Sequence, residues 1–389
     1  LRLATLERHL LLVGDLPGVR IVDAALKENG TGSGRFSLIV RAEFRRAVAT
    51  LDLDNRGSRD TGPWQSFNTL ALASVFRSGD LAGLNVATVP TAPEQLTYAG
   101  GVYEAPIGIN GARIGVRAAY STTSPAGPRG LINVQTQSYD SSIFASVAPI
   151  RTRDFSLRFT TALSVREVEE TNLWGVYYQD HVRAGSLSAD IQAKDPLNGV
   201  NAFSIAYRGG IAGLGASDRD FLSSRPDAES DFHKGVVTYS RLQPLTGPFS
   251  LVVAASGQVT TAPMLKSEAF YFGGSMFGRA FAPGSFLGDA GIAGLAELRF
   301  DQAVDRPWLK SYQIYLYGDA GTLWTRGAEI QRVSSYGGGI RWRIDDDLRA
   351  GFEVAAPGES ATYAPIEQAP RFYVSLSRTF KGCAQFWCF

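Results

Sequence analysis

Residues 154–166, with the sequence DFSLRFTTALSVR, alternate between apolar and polar side chains. One face of the predicted strand is apolar and consists of Phe155, Leu157, Phe159, Leu163 and Val165. The opposite face is polar and consists of Ser156, Arg158, Thr160, Ser164 and Arg166. Because successive side chains of a strand point to opposite faces, this pattern predicts a strand between an apolar and a wet surface. A period of two kept over about ten residues is typical of strands that cross a membrane in a closed barrel.

The same alternation recurs along the chain after residue 45, for example in residues 112–121, 249–260, 340–344 and 372–380. We expect strands to begin near residues 46, 65, 83, 95, 112, 131, 153, 173, 201, 232, 248, 290, 310, 331, 348 and 371. A soluble β-sandwich also alternates, but its strands are typically about five or six residues long. Several polar faces here carry arginine, as the wall of a water-filled lumen does. The sequence therefore predicts an all-β fold, a transmembrane antiparallel β-barrel of about 16 strands.

The composition argues against several other classes of protein. Lys and Arg number 38 against 37 Asp and Glu, so the chain carries no electrostatic footprint for nucleic acid. No stretch approaches 18 consecutive apolar residues, which excludes a transmembrane helix. His9, His181 and His233 are scattered, so no metal site is expected. The sequence has no Gly-x-Ser-x-Gly elbow and no phosphate-binding glycine loop, so we predict neither an enzyme nor a cofactor.

The first 45 residues differ from the rest of the chain. Leucines and a valine recur at helical spacing up to Val13, and Gly14-Asp15-Leu16-Pro17-Gly18 ends that helix. Two strands are predicted over residues 19–26 and 36–43. Helix, strand and strand make about half of a small α/β module, which is too small to bury a core alone. The chain starts at Leu1 rather than Met, so we expect a processed or truncated N-terminus.

The C-terminal end is predicted to contain a last barrel strand that ends at Phe380 and a tail over residues 381–389. Phe372, Val374, Leu376 and Phe380 would face lipid on that strand. The tail holds Cys383 and Cys388. In an extended strand these cysteines would lie roughly 16 Å apart at ~3.3 Å per residue, beyond disulfide reach. A turn would allow a disulfide, and two free thiols remain equally open.

The most informative motif is Phe272-Gly273-Gly274-Ser275-Met276-Phe277-Gly278-Arg279-Ala280-Phe281. Here the sequence resembles the TpsB transporters of two-partner secretion, within the superfamily of outer-membrane barrels that carry POTRA domains. That superfamily places an Arg-Gly-aromatic signature, shortly after a Gly-Gly pair, on a long loop folded back into the pore. Arg279 and Phe281 match this signature. Ala280 stands where Gly is usual and Gly278 where an aliphatic residue is common.

A second matching motif is Tyr317-Gly318-Asp319-Ala320-Gly321. It resembles a downstream strand element of the same superfamily, whose Asp meets the loop arginine. Alternation independently assigns Tyr315, Tyr317 and Asp319 to one face, which makes Asp319 lumenal. The resemblance implies that an Arg279–Asp319 pair anchors an in-folded loop at about residues 268–289. The alternative is that Arg279 is an ordinary solvated loop arginine and Asp319 a turn residue.

The third motif is Leu53-Asp54-Asn55-Arg56-Gly57-Ser58, followed by Thr61-Gly62-Pro63-Trp64. TpsB proteins carry a similar sequence in the first strand and first turn of the barrel, directly after the last POTRA domain. The Asp15–Val19 run also resembles the end of a POTRA helix. We therefore expect the C-terminal part of a POTRA domain over residues 1–45, the barrel over 46–380 and a tail over 381–389.

This resemblance implies an outer-membrane translocation pore of a Gram-negative bacterium, embedded in a bilayer that contains lipopolysaccharide. In that family a POTRA domain captures an unfolded exoprotein by adding its strand to a sheet edge, and the exoprotein then folds outside without nucleotide hydrolysis. The family also has a further POTRA domain and usually a plug helix.

Two other functions stay open at the level of sequence. A barrel-assembly insertase of the same superfamily would carry several POTRA domains upstream. A diffusion porin or structural barrel would lack the loop arginine and its aspartate partner. The sequence does not identify the exoprotein, for which a haemolysin, an adhesin and a contact-dependent toxin are all candidates.

Overall fold

A computed structural model describes residues 3–29, 34–358 and 369–382 of the chain. The N-terminal part contains helix α1 (Leu3–Gly14) and an antiparallel ribbon of β1 (Val19–Glu28) and β2 (Phe36–Phe44). These elements occur where the sequence predicts them. Their assignment to a POTRA domain stays a prediction.

The rest of the described chain is dominated by one closed barrel of 16 antiparallel strands, which confirms the predicted fold class. The first eight barrel strands are β3 (Ala47–Asp54), β4 (Gln65–Ala73), β5 (Leu81–Thr88), β6 (Thr97–Ile107), β7 (Ala112–Thr123), β8 (Gln135–Arg151), β9 (Phe155–Asn172) and β10 (Gly175–Lys194). Helix α2 (Gly127–Leu131) lies between β7 and β8. The next three are β11 (Val200–Gly210), β12 (His233–Pro244) and β13 (Phe249–Thr260). A small hairpin of β14 (Phe270–Phe272) and β15 (Phe286–Gly288) follows outside the barrel ladder. The last five barrel strands are β16 (Ala290–Arg306), β17 (Leu309–Trp324), β18 (Gln331–Arg343), β19 (Leu348–Pro357) and β20 (Arg371–Gly382).

The barrel closes because β20 pairs with β3. This seam runs through eight consecutive residue pairs, from Ser375 with Asp54 to Gly382 with Ala47. Neighbouring pairs such as β3–β4 and β19–β20 have ladders of the same length. The seam is therefore paired as extensively as the ladders on either side of it.

Side chains alternate between lumen and exterior as the sequence predicts. On β17, Tyr315, Tyr317 and Asp319 point into the lumen and are buried, whereas Ile314 and Leu316 are 46% and 66% exposed. The outward row is apolar because it faces lipid, and the inward row holds the polar groups. Alternation thus decides which residues can meet inside the barrel.

One end of the barrel, called the lower rim, carries helix α1. The Asp15 carboxylate accepts two hydrogen bonds from the Arg151 guanidinium, at 2.7 and 2.8 Å. The Arg8 guanidinium donates to the carbonyl oxygens of Asn110 and Ala148, at 3.1 and 3.2 Å. These contacts fix α1 against the turn that follows β6 and against the end of β8. The opposite end is called the upper rim.

The C-terminal strand differs slightly from its prediction. β20 continues to Gly382, two residues past the expected end at Phe380, because Lys381 and Gly382 still pair with β3. Cys383 and Cys388 lie outside the described residues, so the predicted alternatives for them stand. No described helix is long and apolar enough to cross a membrane.

Candidate functional site

The connection between β13 and β16, residues 261–289, folds back into the barrel and is called the inner loop. Its hairpin buries Phe272 completely. The Phe272 ring lies 6.3 Å from the rings of both Phe281 and Phe286, and the latter two are 5.1 Å apart. This aromatic cluster gives the tip of the loop a core of its own, packed against the lumenal residues of β16 and β17.

Arg279 lies at that tip and is buried against the wall. Its Nη1 atom is 2.7 Å from Oε2 of Glu297 on β16 and 3.4 Å from Oε2 of Glu353 on β19. The guanidinium also lies over the ring of Tyr317, 4.2 Å from the centroid. Charge-assisted hydrogen bonds in a shielded site are stronger than their exposed counterparts, so Arg279 fixes the tip to three strands of one wall.

Asp319 holds the same tip by a different contact. Its Oδ1 accepts hydrogen bonds from the backbone N–H of Gly278 at 3.0 Å and from the hydroxyl of Ser335 at 2.7 Å. The side-chain ion pair expected between Arg279 and Asp319 is not among the ion pairs of the described residues. Arg279 pairs instead with Glu297 and Glu353, while Asp319 binds the loop backbone at Gly278.

Glu353 connects the loop motif to the first-strand motif. Its Oε1 accepts from Nη1 of Arg56 at 3.0 Å, while its Oε2 accepts from the Tyr315 hydroxyl at 2.6 Å. The Arg56 guanidinium lies over the ring of Tyr373 on β20, 4.5 Å from the centroid. The Tyr373 hydroxyl in turn donates to the carbonyl oxygen of Arg279 at 2.6 Å. Motifs far apart in the sequence therefore converge on one carboxylate.

Glu297 is the second carboxylate of the site and is fully buried. Besides Arg279, it pairs with Nε of Arg299 at 2.7 Å and Nη1 of Arg341 at 2.9 Å. Neither Glu297 nor Glu353 was predicted from the sequence. The available signal for Glu353 was that it is the one acidic residue of β19. Within the described ranges, no group of His, Cys, Asp and Glu could hold a metal ion.

Two glycines of the motifs are required by the close approach of Phe272. A Cβ atom on Gly278 would lie 2.5 Å from the Phe272 ring, and a Cβ on Gly321 would lie 2.6 Å from it. Gly278 also has a φ of +76°, which L side chains rarely adopt. Gly318, in contrast, has nothing within 4 Å of an added Cβ.

Ala280 departs from the family pattern without strain. It is buried, and its φ is not positive, so no glycine is needed there. The positive φ angles of this segment fall on Gly273, Gly274 and Gly278. The backbone freedom of the loop is thus supplied one residue before Arg279 rather than one residue after it.

The first-strand motif fixes the upper end of the seam. The Asn55 amide donates to the carbonyl of Phe372 at 2.9 Å and its oxygen accepts from the N–H of Val374 at 2.7 Å, so Asn55 continues the pairing with β20. Two further contacts of the motif are Asp54 Oδ1 with the N–H of Arg56 at 2.9 Å, and the Gly57 carbonyl with the Arg371 guanidinium at 2.8 Å.

Comparison with known proteins identifies the family. The model of the family "Haemolysin secretion/activation protein ShlB/FhaC/HecB" matches residues 38–342. A search of curated proteins gives no match. Among solved structures, CdiB from Escherichia coli is similar with a TM-score of 0.82 and 15% identity, over 95% of this chain and 69% of that one. CdiB from Acinetobacter baumannii has a TM-score of 0.72 and 16% identity, over 96% of this chain and 67% of that one.

BamA from Haemophilus ducreyi lacking POTRA domains 1–3 has a TM-score of 0.63 and 14% identity, over 96% of this chain and 77% of that one. At these identities the three structures support the fold, and the family model carries the assignment. Since that model matches well over half of the sequence, the chain belongs to the haemolysin secretion/activation protein family, the outer-membrane transporters of two-partner secretion.

Proposed function

We propose that this outer-membrane barrel exports an unfolded partner protein through its lumen to the cell surface, without nucleotide hydrolysis. The family membership supports a protein translocation pore. The observation that carries the proposal is the tip of the inner loop, which is held against one wall by Arg279, Asp319 and Tyr373. A diffusion porin needs no such arrangement.

The tip is suited to remain in place during transport. Arg279 contributes one positive charge to a wall in which Glu297 and Glu353 are otherwise paired with Arg341 and Arg56. The tip can leave only if the Arg279 ion pairs, the Gly278–Asp319 hydrogen bond and the aromatic packing around Phe272 break together, so its spontaneous release is rare. In this proposal the tip keeps the inner loop against the wall of β16 to β19 and prevents it from collapsing across the path of the client.

Both ends of the barrel lie at the lower rim, because an even number of strands returns the end of β20 to the rim that carries α1. We propose that this rim faces the periplasm, where the family carries its POTRA domains. We propose that residues 1–45 are the C-terminal part of a POTRA domain that delivers the client to the pore, as expected from the first-strand motif. An extended client adds to a free sheet edge by main-chain hydrogen bonds, and β1–β2 is an exposed ribbon at the entrance.

The driving force in this proposal is folding outside the cell. A folded domain is more stable than its unfolded chain by about 5–15 kcal/mol, so segments that fold at the upper rim do not return. Each step inside the barrel then needs only thermal motion.

The seam argues against the insertase alternative. Opening the wall between β3 and β20 would break the eight-residue ladder together with the Asn55 contacts and the Arg56–Glu353 ion pair. The structural similarity to BamA reflects a shared fold.

The decisive experiment replaces Arg279 with Ala and measures secretion of the partner exoprotein, which is to be sought among the genes beside that of the transporter. We expect secretion to fall at least tenfold while the barrel still assembles, as judged by heat-modifiable mobility in gels. Arg158→Ala, which removes a lumenal charge near the lower rim, serves as the matched control. Normal secretion by the Arg279 variant would refute the role of the tip, and the absence of a secreted partner for the unaltered protein would refute the export function.

A further inference from the structure

The inner loop has a second charged contact, far from Arg279, that the proposed function does not use. Glu268 is 2% exposed and lies in a short 3-10 turn before β14. The Arg208 guanidinium donates to both of its carboxylate oxygens, each at 3.0 Å. Nζ of Lys234 lies 2.7 Å from Oε2, and Nη1 of Arg166 lies 3.4 Å from Oε1. Three cations therefore surround one loop carboxylate.

These cations belong to a different part of the wall from the Arg279 site. Arg166 is on β9, Arg208 on β11 and Lys234 on β12, whereas the partners of Arg279 lie on β16, β17 and β19, so the two sets are two to eight strands apart in the ring of 16. The inner loop is thus attached to the wall at two places, at its tip and at Glu268. An acidic segment in the lumen can bind the three cations only after Glu268 has left them.

The charge balance at the two attachment sites differs once Glu268 has left its cations. On the Arg279 side, the wall carboxylates and the wall arginines still pair with one another. On the Glu268 side, Asp140 is the one other acidic side chain paired with the three cations in the described parts of the chain, and it binds Arg166 at 2.7 Å. Departure of Glu268 leaves Arg208 and Lys234, 19% and 11% exposed as side chains, without an acidic partner.

Shielded cations without a counter-charge are unfavourable, and carboxylates satisfy an arginine fork with two parallel hydrogen bonds. The geometry around Glu268 shows that the site accepts a carboxylate in this bidentate manner. Any free carboxylate that enters the lumen is therefore a competitor of Glu268. A ligand that binds only when Glu268 is displaced also shifts the inner loop toward its displaced position.

We propose that Arg166, Arg208 and Lys234 form a binding site for acidic side chains of the polypeptide in transit, and that Glu268 occupies this site as an internal substitute when the pore is idle. This inference rests on the proposed export function. Acidic segments of the client then replace Glu268 and are held transiently by the cations of β9, β11 and β12.

The test uses the full barrel in detergent at low salt, with dye-labelled octaglutamate as the probe and labelled octalysine as the charge control. Binding is measured by fluorescence anisotropy. Glu268→Gln removes the competitor and should tighten octaglutamate binding about tenfold or more, the range expected for charge-assisted hydrogen bonds. Adding Arg208→Gln and Lys234→Gln should abolish this gain. Arg158→Gln, which removes a lumenal charge on the same strand as Arg166, should leave it unchanged.

The results separate the site from the function it serves. Equal octaglutamate affinity before and after Glu268→Gln, or affinity that survives neutralisation of Arg208 and Lys234, overturns the site. If Glu268→Gln increases the affinities for octaglutamate and octalysine equally, the site is also overturned, because the increase would then reflect easier entry of any peptide into the lumen. If the expected binding is observed but the unaltered protein exports no partner, the carboxylate site stands and the export function fails.

Discussion

The smallest change that should loosen the tip of the inner loop is Gly321→Ala. It adds one methyl group on the lumenal face of β17, 2.6 Å from the ring of Phe272. Phe272 is fully buried between Phe281 and Phe286, so the ring has no free space into which it could move. No charge is altered, and β17 can accept alanine because Gly321 does not have a positive φ. The substitution therefore separates the packing of the tip from its ion pairs.

Overpacking a well-filled core costs about 1–3 kcal/mol. If the tip relieves this strain by detaching from the barrel wall, the population of the displaced loop rises roughly fivefold to 150-fold. Trypsin cleavage of the Arg279–Ala280 bond reports that population, because Arg279 is buried in the seated loop and a protease cuts only the open state. We expect the rate of this cleavage, followed by mass spectrometry, to increase by the same factor.

Gly318→Ala is the matched control, since it lies in the same motif but nothing is within 4 Å of the added Cβ. Cleavage at Arg279 should then proceed at the rate of the unaltered protein. Equal cleavage rates for the two alanine variants, or an unchanged rate for Gly321→Ala in an intact barrel, would show that packing against Phe272 does not hold the tip.

Two further predictions concern the rims. Gly57→Ala would bring a Cβ within 2.2 Å of the Gly62 carbonyl oxygen. Because backbone atoms cannot move aside as a side chain can, we expect the free energy of unfolding in urea to fall by about 1–3 kcal/mol. An unchanged unfolding midpoint would contradict this. Arg151→Ala removes the two hydrogen bonds to Asp15. A partly exposed ion pair stabilises by about 0–1 kcal/mol. Proteolytic release of residues 1–44 should therefore accelerate by less than tenfold. The same substitution at Arg153, which pairs with Glu7 but is 79% exposed, should have a smaller effect, and an equal or larger effect would contradict this order.

The barrel could be predicted from sequence because lipid imposes a simple rule. Every strand must alternate, so each start could be read locally, and all 16 predicted starts lie within four residues of those observed. The in-folded loop depended on the resemblance at Arg279, since its backbone follows no periodic pattern.

The partners of Arg279 could not be predicted in the same way. Alternation identifies which residues face the lumen, but it gives neither their height nor their position around the ring. Glu297, Asp319 and Glu353 are all lumenal acids within reach of a long side chain, and only the register of four neighbouring strands selects among them. The contacts of Glu268 were harder still to predict, because the sequence around a single acid in a short turn does not indicate three cations on distant strands.

The convergence of Arg56 and Arg279 on Glu353 has a consequence for how the molecule is built. Arg56 and Glu353 are separated by 297 positions in the chain, so they meet only after the last strand has found the first. Contacts of such long range form late, because the entropy of closing the intervening chain must be overcome first. The loop tip can therefore make all of its wall contacts only in a closed barrel. These contacts distinguish a completed barrel from an incomplete one.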